Sequence, residues 1–413
     1  MIVDLLRLLG HPDKLKPDPI IDWPMHPRRT IPIAWRNLTE NKLRLLASLA
    51  GTAFAVTLMF MENGFRNALL ESMVELIRHL DGQLFLVSRG LYTLSVPYSF
   101  PNRRLEQAKA FPEVTAGVPV AVEARRSVWR SSVDGVPRPI RVVAYPPRGD
   151  ALDIPALVGR RDDWDRPGTA MADALSRTER LGPLTPGLVS ELSGKTVRIL
   201  GTFDLGADFQ SDGTLVMSCA SLQDIFPDRR GLSQADDAVT VGLLRVRPGV
   251  DLERLRAAIA AALPADVRVL TKAGLIAKEQ AFWDHVAPIG TVFSIGVVLG
   301  FIVGLVICYQ VLFSEISERL AEFATLKAMG YSDLRLFAII VQQAVYLALL
   351  GYLCGLAVSL GLFGIVHRAT GLPMDLQFDD AAAILGLTLV MCVSSGCLAA
   401  RRLTLADPAQ LFR

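Results

Sequence analysis

The residues best suited to phosphate chemistry are 193–196, which read SGKT and supply the lysine and hydroxyl of a phosphate-binding loop. A Walker A loop also needs a glycine where this sequence has Val189, and it needs a helix to follow. The residues from Lys195 onward instead alternate in polarity, as in a strand. The sequence therefore argues against a nucleotide site at this point.

Metal-ligand and nucleophile chemistry has equally little support. The 5 histidines are scattered along the chain without ligand spacing (His11, His26, His79, His285 and His367). Asp162, Asp163 and Asp165 form an acidic cluster, for which a solvated charged loop is favoured over a cation site. The sequence contains no Gly-x-Ser-x-Gly elbow. We therefore predict that the chain is not an enzyme and has no catalytic residue, bound cofactor or metal of its own.

Hydrophobic residues make up 51% of the 413 residues, and the mean hydropathy of +0.36 is high for a soluble domain. They collect in four uncharged blocks: Leu45–Met61, Ala287–Ser314, Leu336–Val366 and Ala381–Ala400. A helix needs about 20 apolar residues to cross a bilayer, so the blocks predict four transmembrane helices. The lack of ionisable residues inside them argues against a pump driven by protons or sodium.

Basic residues flank these blocks unevenly. They precede the first block, lie between the second and third, and follow the fourth, whereas the last connection holds Arg368 against three aspartates. The positive-inside rule therefore places both termini and the loop 315–335 in the cytoplasm. Segment 62–286 then lies outside the membrane, and we expect a lipid bilayer but no nucleic acid as a partner.

The domain order follows from the blocks. Residues 1–30 contain five prolines and are predicted to form a cytoplasmic lead-in, and 401–413 a cytoplasmic tail. Residues 31–61 combine an amphipathic elbow helix, lying flat at the interface, with transmembrane helix 1. Residues 287–400 hold transmembrane helices 2 to 4. Anchoring is the simplest role for the elbow, and docking of a cytoplasmic partner would be additional.

The outer segment 62–286 is long enough for a folded domain. Alternating polarity predicts strands at 195–205, 238–246 and 266–272. Residues 248–264 predict a helix with Asp251 as its N-cap. The fold class is therefore an α-helical membrane protein with an α+β domain inserted between helices 1 and 2. Trp283 is expected at the outer lipid interface.

Small residues recur at helical spacing within the blocks. The second block carries Gly296, Gly300 and Gly304, a double GxxxG row that lets helix backbones approach closely. Such a row is equally compatible with packing inside one chain and with a dimer contact. If it is a dimer contact, cysteines placed along it should crosslink between two protomers.

The charged loop between the second and third blocks has helical periodicity over 315–330. Ile316, Leu320 and Phe323 share one face, and Glu315 and Arg319 are spaced for an ion pair. Gly330 is placed to end the helix at its C′ position. These features predict a discrete helix bounded at both ends, separate from the transmembrane helices on either side.

This loop resembles the cytoplasmic loop of FtsX/MacB-type ABC transporter permeases. The matching residues are Glu318, Arg319, Glu322, Leu326, Ala328 and Gly330. Residues 34–51 resemble the entry motif of that family, and 399–413 resemble its closing motif, including Arg401, Asp407 and Pro408. The order of one span, a large outer domain and three spans is that of the family. Longer stretches, such as 200–218 and 267–290, are similar to the DevC-type permeases.

The resemblance implies a permease that couples to ATP hydrolysis on a separate ATPase subunit, which would hold the ATP and Mg²⁺. Two permeases, as a homodimer, would join two ATPase subunits. The 315–330 helix would be the coupling helix, with Ile316, Leu320 and Phe323 as its seating face. Its polar residues at the contact would include Arg319 and Glu322. The other residues assigned to coupling are Glu318, Lys327 and Gly330.

The resemblance also implies a location in the bacterial inner membrane and a tripartite efflux assembly. A periplasmic adaptor and an outer-membrane channel would complete it, and the substrate would be a lipid, a glycolipid or another hydrophobic molecule. The outer domain would be MacB-like and would receive motion through continuous helices, a mechanism termed mechanotransmission. An FtsX-like complex that relays a signal to a periplasmic partner, or a Lol-type permease that extracts lipoproteins, remains an alternative.

Overall fold

Four long helices and one outer α+β domain form the part of the chain that the computed structural model describes. The described residues are 35, 39–96, 98–158, 166–206, 208–227, 238–286, 289–370, 372 and 374–405. Within them, four helices are long and apolar enough to cross a membrane: α1 (Lys42–His79), α8 (Ile289–Glu318), α10 (Asp333–Thr370) and α11 (Phe378–Leu405). Three of these helices extend their predicted blocks at both ends, whereas α8 begins at Ile289, inside its block, and extends only the C-terminal end. Together they confirm a multi-span architecture.

Helix α1 is much longer than a membrane crossing requires. Its 38 residues span about 57 Å at 1.5 Å per residue, against a hydrocarbon thickness of about 30 Å. The outer half therefore continues past the membrane, where Val74 and Ile77 are fully buried in the core of the outer domain. The helix begins at Lys42 because Asn41 caps it, with its side chain accepting from the backbone N–H of Arg44 at 3.2 Å.

The predicted elbow helix lies mostly outside the described residues. Of residues 31–41, only Trp35, Thr39, Glu40 and Asn41 are described. Asn41 separates these residues from α1, so residues 42–46 belong to α1 and not to the elbow. The aspartates at 162, 163 and 165 and the closing-motif residues beyond 405 also lie outside the described part.

The outer domain is built on an 11-stranded mixed sheet, with strand order β13-β1-β12-β3-β6-β10-β7-β9-β8-β4-β5. Its strands, with a separate β2–β11 pair, are β1 (Leu84–Ser88), β2 (Phe100–Pro101), β3 (Val114–Glu123), β4 (Val128–Arg130), β5 (Pro137–Pro139), β6 (Arg141–Ala144), β7 (Thr169–Asp173), β8 (Val189–Leu192), β9 (Lys195–Phe203), β10 (Thr214–Met217), β11 (Ala238–Val239), β12 (Val241–Val246) and β13 (Val267–Thr271). The predictions at 195–205 and 266–272 correspond to β9 and β13, whereas 238–246 forms two strands, β11 and β12, in different sheets. The α+β domain between helices 1 and 2 is therefore confirmed.

Short helices cover this sheet and lead the chain back to the membrane. They are α2 (Arg103–Lys109), α3 (Pro155–Val158), α4 (Thr178–Leu181), α5 (Cys219–Ile225), α6 (Leu252–Ala262) and α7 (Lys272–Ala281), with a 3₁₀ turn at Pro147–Gly149 and a π-helical turn at Phe282–Val286. Asp251 caps α6 as predicted, accepting from the backbone N–H groups of Glu253 and Arg254. Trp283 is not at a lipid-facing position: it is 5% exposed, and its indole N–H donates to Glu279 at 3.0 Å.

Glycines set the distance between α1 and its neighbours in the bundle. A Cβ on Gly355 of α10 would lie 2.7 Å from the Val56 side chain and 2.9 Å from the backbone oxygen of Ala53. Gly361, on the same helix, has open space around its Cα. An added methyl group is therefore expected to destabilise the chain at Gly355 but not at Gly361.

We expect Gly355→Ala to lower the free energy of unfolding by about 1–3 kcal/mol, because the added methyl overpacks the α1–α10 contact. Gly361→Ala is expected to be neutral or stabilising by up to about 1 kcal/mol, since alanine favours helix more than glycine. Thermal unfolding of the full-length chain in detergent measures both. Equal shifts for the two variants would contradict this packing.

Candidate functional site

The loop between α8 and α10 contains one short helix, α9 (Leu320–Ala328), joined to α8 by a single residue. Arg319 has φ −98° and ψ 15°, which breaks the helix there. The prediction of one discrete helix over 315–330 is therefore wrong at its start, since residues 315–318 are the last turn of α8. The reason is apolar continuity: Ile316 extends the buried face of α8 and packs with Leu312 and Ile340.

The far end of α9 is the turn that the sequence predicts. Gly330 has φ +95°, a left-handed conformation that strains any residue with a Cβ. The backbone N–H of Tyr331 donates to the carbonyl of Leu326, and that of Gly330 donates to Lys327. This pattern is a Schellman motif, which satisfies the last carbonyls of the helix. Lys327 pairs with Asp333 at 2.8 Å across the turn.

The expected seating face on this loop is not free to meet a partner. Ile316 and Phe323 are each 4% exposed and pack in the core at the inner end of the bundle, and Leu320 is half-buried. The assignment of these residues to an ATPase contact is therefore corrected: the apolar face of α9 docks onto its own transmembrane helices. The spacing does place these residues on one apolar face, but the chain's own transmembrane helices cover that face.

The opposite face of the loop is exposed. It presents Ala321, Glu322 and Thr325 on α9, and then Met329 at 64% and Leu334 at 70% exposure. Two large apolar side chains beside a carboxylate form a small mixed patch, which we call the loop patch (Glu322, Thr325, Met329 and Leu334). Its shape and chemistry suit a protein contact more than a small-molecule site.

Ion pairs fasten the α8–α9 joint to the start of α1. Arg44 donates to Glu318 at 2.5 Å, and Arg319 pairs with Glu40 at 2.8 Å. Arg319 also lies 3.6 Å from Glu322 on α9, and its side chain is only 13% exposed. The structure thus pairs Arg319 with Glu322 on α9 and adds two partners from the other end of the chain, Glu40 and Arg44.

A second set of polar contacts lies where the helices leave the membrane on the outer side. Arg66 of α1 makes a bidentate pair with Asp284 in the π-helical turn, with N–O distances of 2.7–2.9 Å. Asn67, one residue on, donates to Asp380 of α11 at 2.7 Å. Helix α1 is therefore held to its neighbours by polar contacts at its start and again at Arg66 and Asn67.

Glu279 joins α7 to the outer domain. Its buried carboxylate accepts from the Thr93 hydroxyl, from the backbone N–H of Leu94 at 3.1 Å and from the Trp283 indole N–H. Burial raises the pKa of Glu279 above its ordinary value, although these three donors oppose the rise. Through this side chain, the segment that leads into α8 is fixed to the loop after β1.

The double GxxxG row of α8 faces α1 within the same chain. A Cβ on Gly296 would meet the Glu62 carboxylate, one on Gly300 would meet Met59, and one on Gly304 would meet Ala55 and Met391. The structure therefore supports the intrachain alternative for these glycines. The exposed face of α8 is instead lined by larger side chains, among them Ile295, Val298 and Ile302.

Sequence reasoning missed five residues at these two joints: Glu40, Arg44, Arg66, Glu279 and Asp284. Their partners lie far along the chain, with 274 residues between Arg44 and Glu318 and 218 between Arg66 and Asp284. The sequence does show that charged residues lie just outside the apolar blocks, but it does not indicate which residues they pair with. Among the described residues, no group of histidine, cysteine, aspartate and glutamate could hold a metal ion.

Comparison with known proteins gives one family match. Residues 293–408 match the family model "FtsX-like permease C-terminal", which covers α8 to α11. This match confirms the resemblance to FtsX-like permeases that the loop motif indicated. No curated protein matches the sequence.

Three solved structures are similar to part of the chain. They are the periplasmic region of MacB from Actinobacillus actinomycetemcomitans (9% identity, 49% of this chain and 94% of that chain, TM-score 0.35), the extracellular domain of the noncanonic ABC-type transporter YknZ from Gram-positive bacteria (15%, 46% and 99%, 0.32) and a domain of a putative permease protein from Porphyromonas gingivalis (15%, 46% and 88%, 0.30). At these identities and TM-scores, the likenesses carry no argument about what this chain does.

Proposed function

Since residues 293–408 match the FtsX-like permease C-terminal family, we propose that this chain is the permease subunit of an ABC exporter. A separate ATPase subunit would bind ATP and Mg²⁺ and dock on the cytoplasmic loop patch. Two copies of the chain would assemble with two ATPase subunits in the bacterial inner membrane, with both termini in the cytoplasm. The observation that carries the proposal is the family match over the loop and the three helices around it.

The long helix α1 supports transmission of motion as the working principle. It runs without a break from Lys42, beside the α8–α9 joint, to His79, and its residues Val74 and Ile77 lie in the core of the outer domain. The inner polar contacts, Arg44–Glu318 and Arg319–Glu40, lie at its start, and the outer pair, Arg66–Asp284, lies between its middle and its end at His79. A displacement of the loop patch would thus reach the outer domain through α1 and α8. We propose that this motion drives export of a lipid, glycolipid or other hydrophobic substrate.

An adaptor and an outer-membrane channel would complete the assembly, in a DevC-type arrangement. An alternative is an FtsX-like complex that relays the same motion to a periplasmic enzyme, and a Lol-type extraction of lipoproteins is a third option. The genes next to this one discriminate among them. A membrane-fusion adaptor favours export, a peptidoglycan hydrolase favours relay, and a periplasmic lipoprotein chaperone favours extraction.

The proposal is tested by purifying the full-length chain from native membranes and assaying the complex for ATP hydrolysis. We expect an ATPase subunit to co-purify. Glu322→Lys should reduce its recovery by about tenfold, because the substitution puts a reversed charge into the exposed loop patch. Glu253→Lys on α6, an equally exposed carboxylate in the outer domain, is the matched control. Recovery of no ATPase with the unmodified chain would refute the proposal.

A further inference from the structure

Two helix breaks lie side by side at the inner end of the bundle. Asn41 separates the elbow segment from α1, and Arg319 separates α8 from α9. Two ion pairs connect these breaks. Arg44 of α1 pairs with Glu318 of α8, and Glu40, which precedes α1, pairs with Arg319 between α8 and α9. We call these four residues the clasp.

The clasp contacts α9 through Arg319, and a separate contact, made by Trp35, reaches α10. Arg319 lies between Glu40 of the elbow segment and Glu322 of α9, at 2.8 and 3.6 Å. Trp35, at the other end of the described elbow residues, packs edge-on against Tyr346 of α10, with ring centroids 5.6 Å apart. Of the described elbow residues, Glu40 therefore contacts the α8–α9 joint, and Trp35 contacts the third long helix.

Exposed ion pairs contribute little to stability on average, so two surface pairs alone would have no consequence. This arrangement differs because Arg319 is largely covered and holds two carboxylates from different segments. Such a network adds a geometric constraint: a shift of α9 relative to α8 must either move Arg319 together with Glu40 or break one of the two Arg319 pairs.

We propose that the clasp is a second route, by which displacement of α9 reaches α1, with Arg319 as the positioning residue. This inference rests on the proposed function, since α9 is displaced there by the ATPase subunit. The covalent route runs from α9 into α10 through Gly330, whose turn is tied by the Lys327–Asp333 pair. The clasp supplies a parallel, non-covalent route, so α1 and α10 shift together.

The test is a charge swap in the full-length chain with its co-purified ATPase in lipid nanodiscs. We expect Arg319→Glu and Glu40→Arg each to lower permease-stimulated ATP hydrolysis by about five- to tenfold, because like charges then face each other at the clasp. The double variant Glu40→Arg/Arg319→Glu should recover to within about twofold of the unmodified chain, as coupled neighbours do in a double-mutant cycle. Lys42→Glu, an exposed charge reversal within one turn of Arg44, is the control and should change little.

Loss of activity for reasons unrelated to the pairing of Glu40 with Arg319 would not be rescued by the swap, so a double variant as weak as its weaker single variant overturns the proposal. Equal loss in Lys42→Glu also overturns it. A second arm needs no ATPase: cysteines at positions 40 and 319 should be joined by a short bifunctional reagent in the chain alone. If the unmodified chain recovers no ATPase, the proposed function fails, while crosslinking still decides whether the clasp exists.

Discussion

Phe323→Asp is expected to leave almost no folded full-length chain in the membrane. The phenyl ring is 4% exposed and packs with the inner ends of the bundle helices, so the substitution both opens a cavity and buries a charge. Loss of a buried phenylalanine costs about 3–5 kcal/mol, and an unpaired buried carboxylate adds several more. That sum is comparable with the whole free energy of unfolding of many proteins. Size-exclusion profiles of detergent-solubilised chain measure the folded fraction.

Met329→Asp is the matched variant on the other face of the loop. Its side chain is 64% exposed, so we expect a folded chain with an unchanged melting temperature. Stimulated ATP hydrolysis should nevertheless fall by at least about tenfold, because a charge replaces an apolar contact in the loop patch. If Phe323→Asp folds normally and only Met329→Asp unfolds, the structural placement of α9 is incorrect.

Glu279→Ala is expected to loosen the joint between α7 and the outer domain by about 3 kcal/mol or more, because the Thr93 hydroxyl, the Leu94 N–H and the Trp283 N–H all lose their acceptor. Thermal unfolding of the full-length chain measures the loss. Glu253→Ala, which removes an exposed carboxylate from α6, is the control and should shift the melting temperature only slightly.

The buried Glu279 carboxylate also predicts how the stability of the folded chain depends on pH. Burial raises the pKa of Glu279 above its ordinary value of 4.5, so the folded chain holds this proton more tightly than the unfolded chain. Its contribution to stability is therefore fully present below 4.5 and is lost as the pH rises through the raised pKa. Glu279→Gln should flatten the stability profile in that window. An unchanged slope in the Gln variant would contradict the assignment.

Local features of the fold could be predicted from sequence because their causes are local. Asp251 caps α6 through backbone groups two and three residues away, and Gly330 ends α9 through its own backbone conformation. The apolar blocks predicted the spans for the same reason, since the ladder of hydrogen bonds and the lipid-facing side chains lie within each helix.

The candidate site was harder to predict because periodicity gives a face but not the surface that covers it. Periodicity places Ile316 and Phe323 on one apolar face, and the structure shows that the helices of the same chain cover this face. The same limit applies to the clasp: Glu40 and Arg319 are ordinary charged residues until the fold brings the two breaks together. Long-range pairing carries no signal in a single sequence.

The unbroken length of α1 gives the molecule the properties of a lever. A helix of about 57 Å that tilts by about 5° about its inner end displaces its far end by about 5 Å, close to one helical turn. The clasp lies at the inner end of this lever, and the sheet core around Ile77 lies at the other. A contact at the inner end thus needs only a small angular change to produce a large linear stroke outside the membrane. The fraction of this displacement that reaches the outer domain then depends on the bending stiffness of α1 more than on the strength of any single contact.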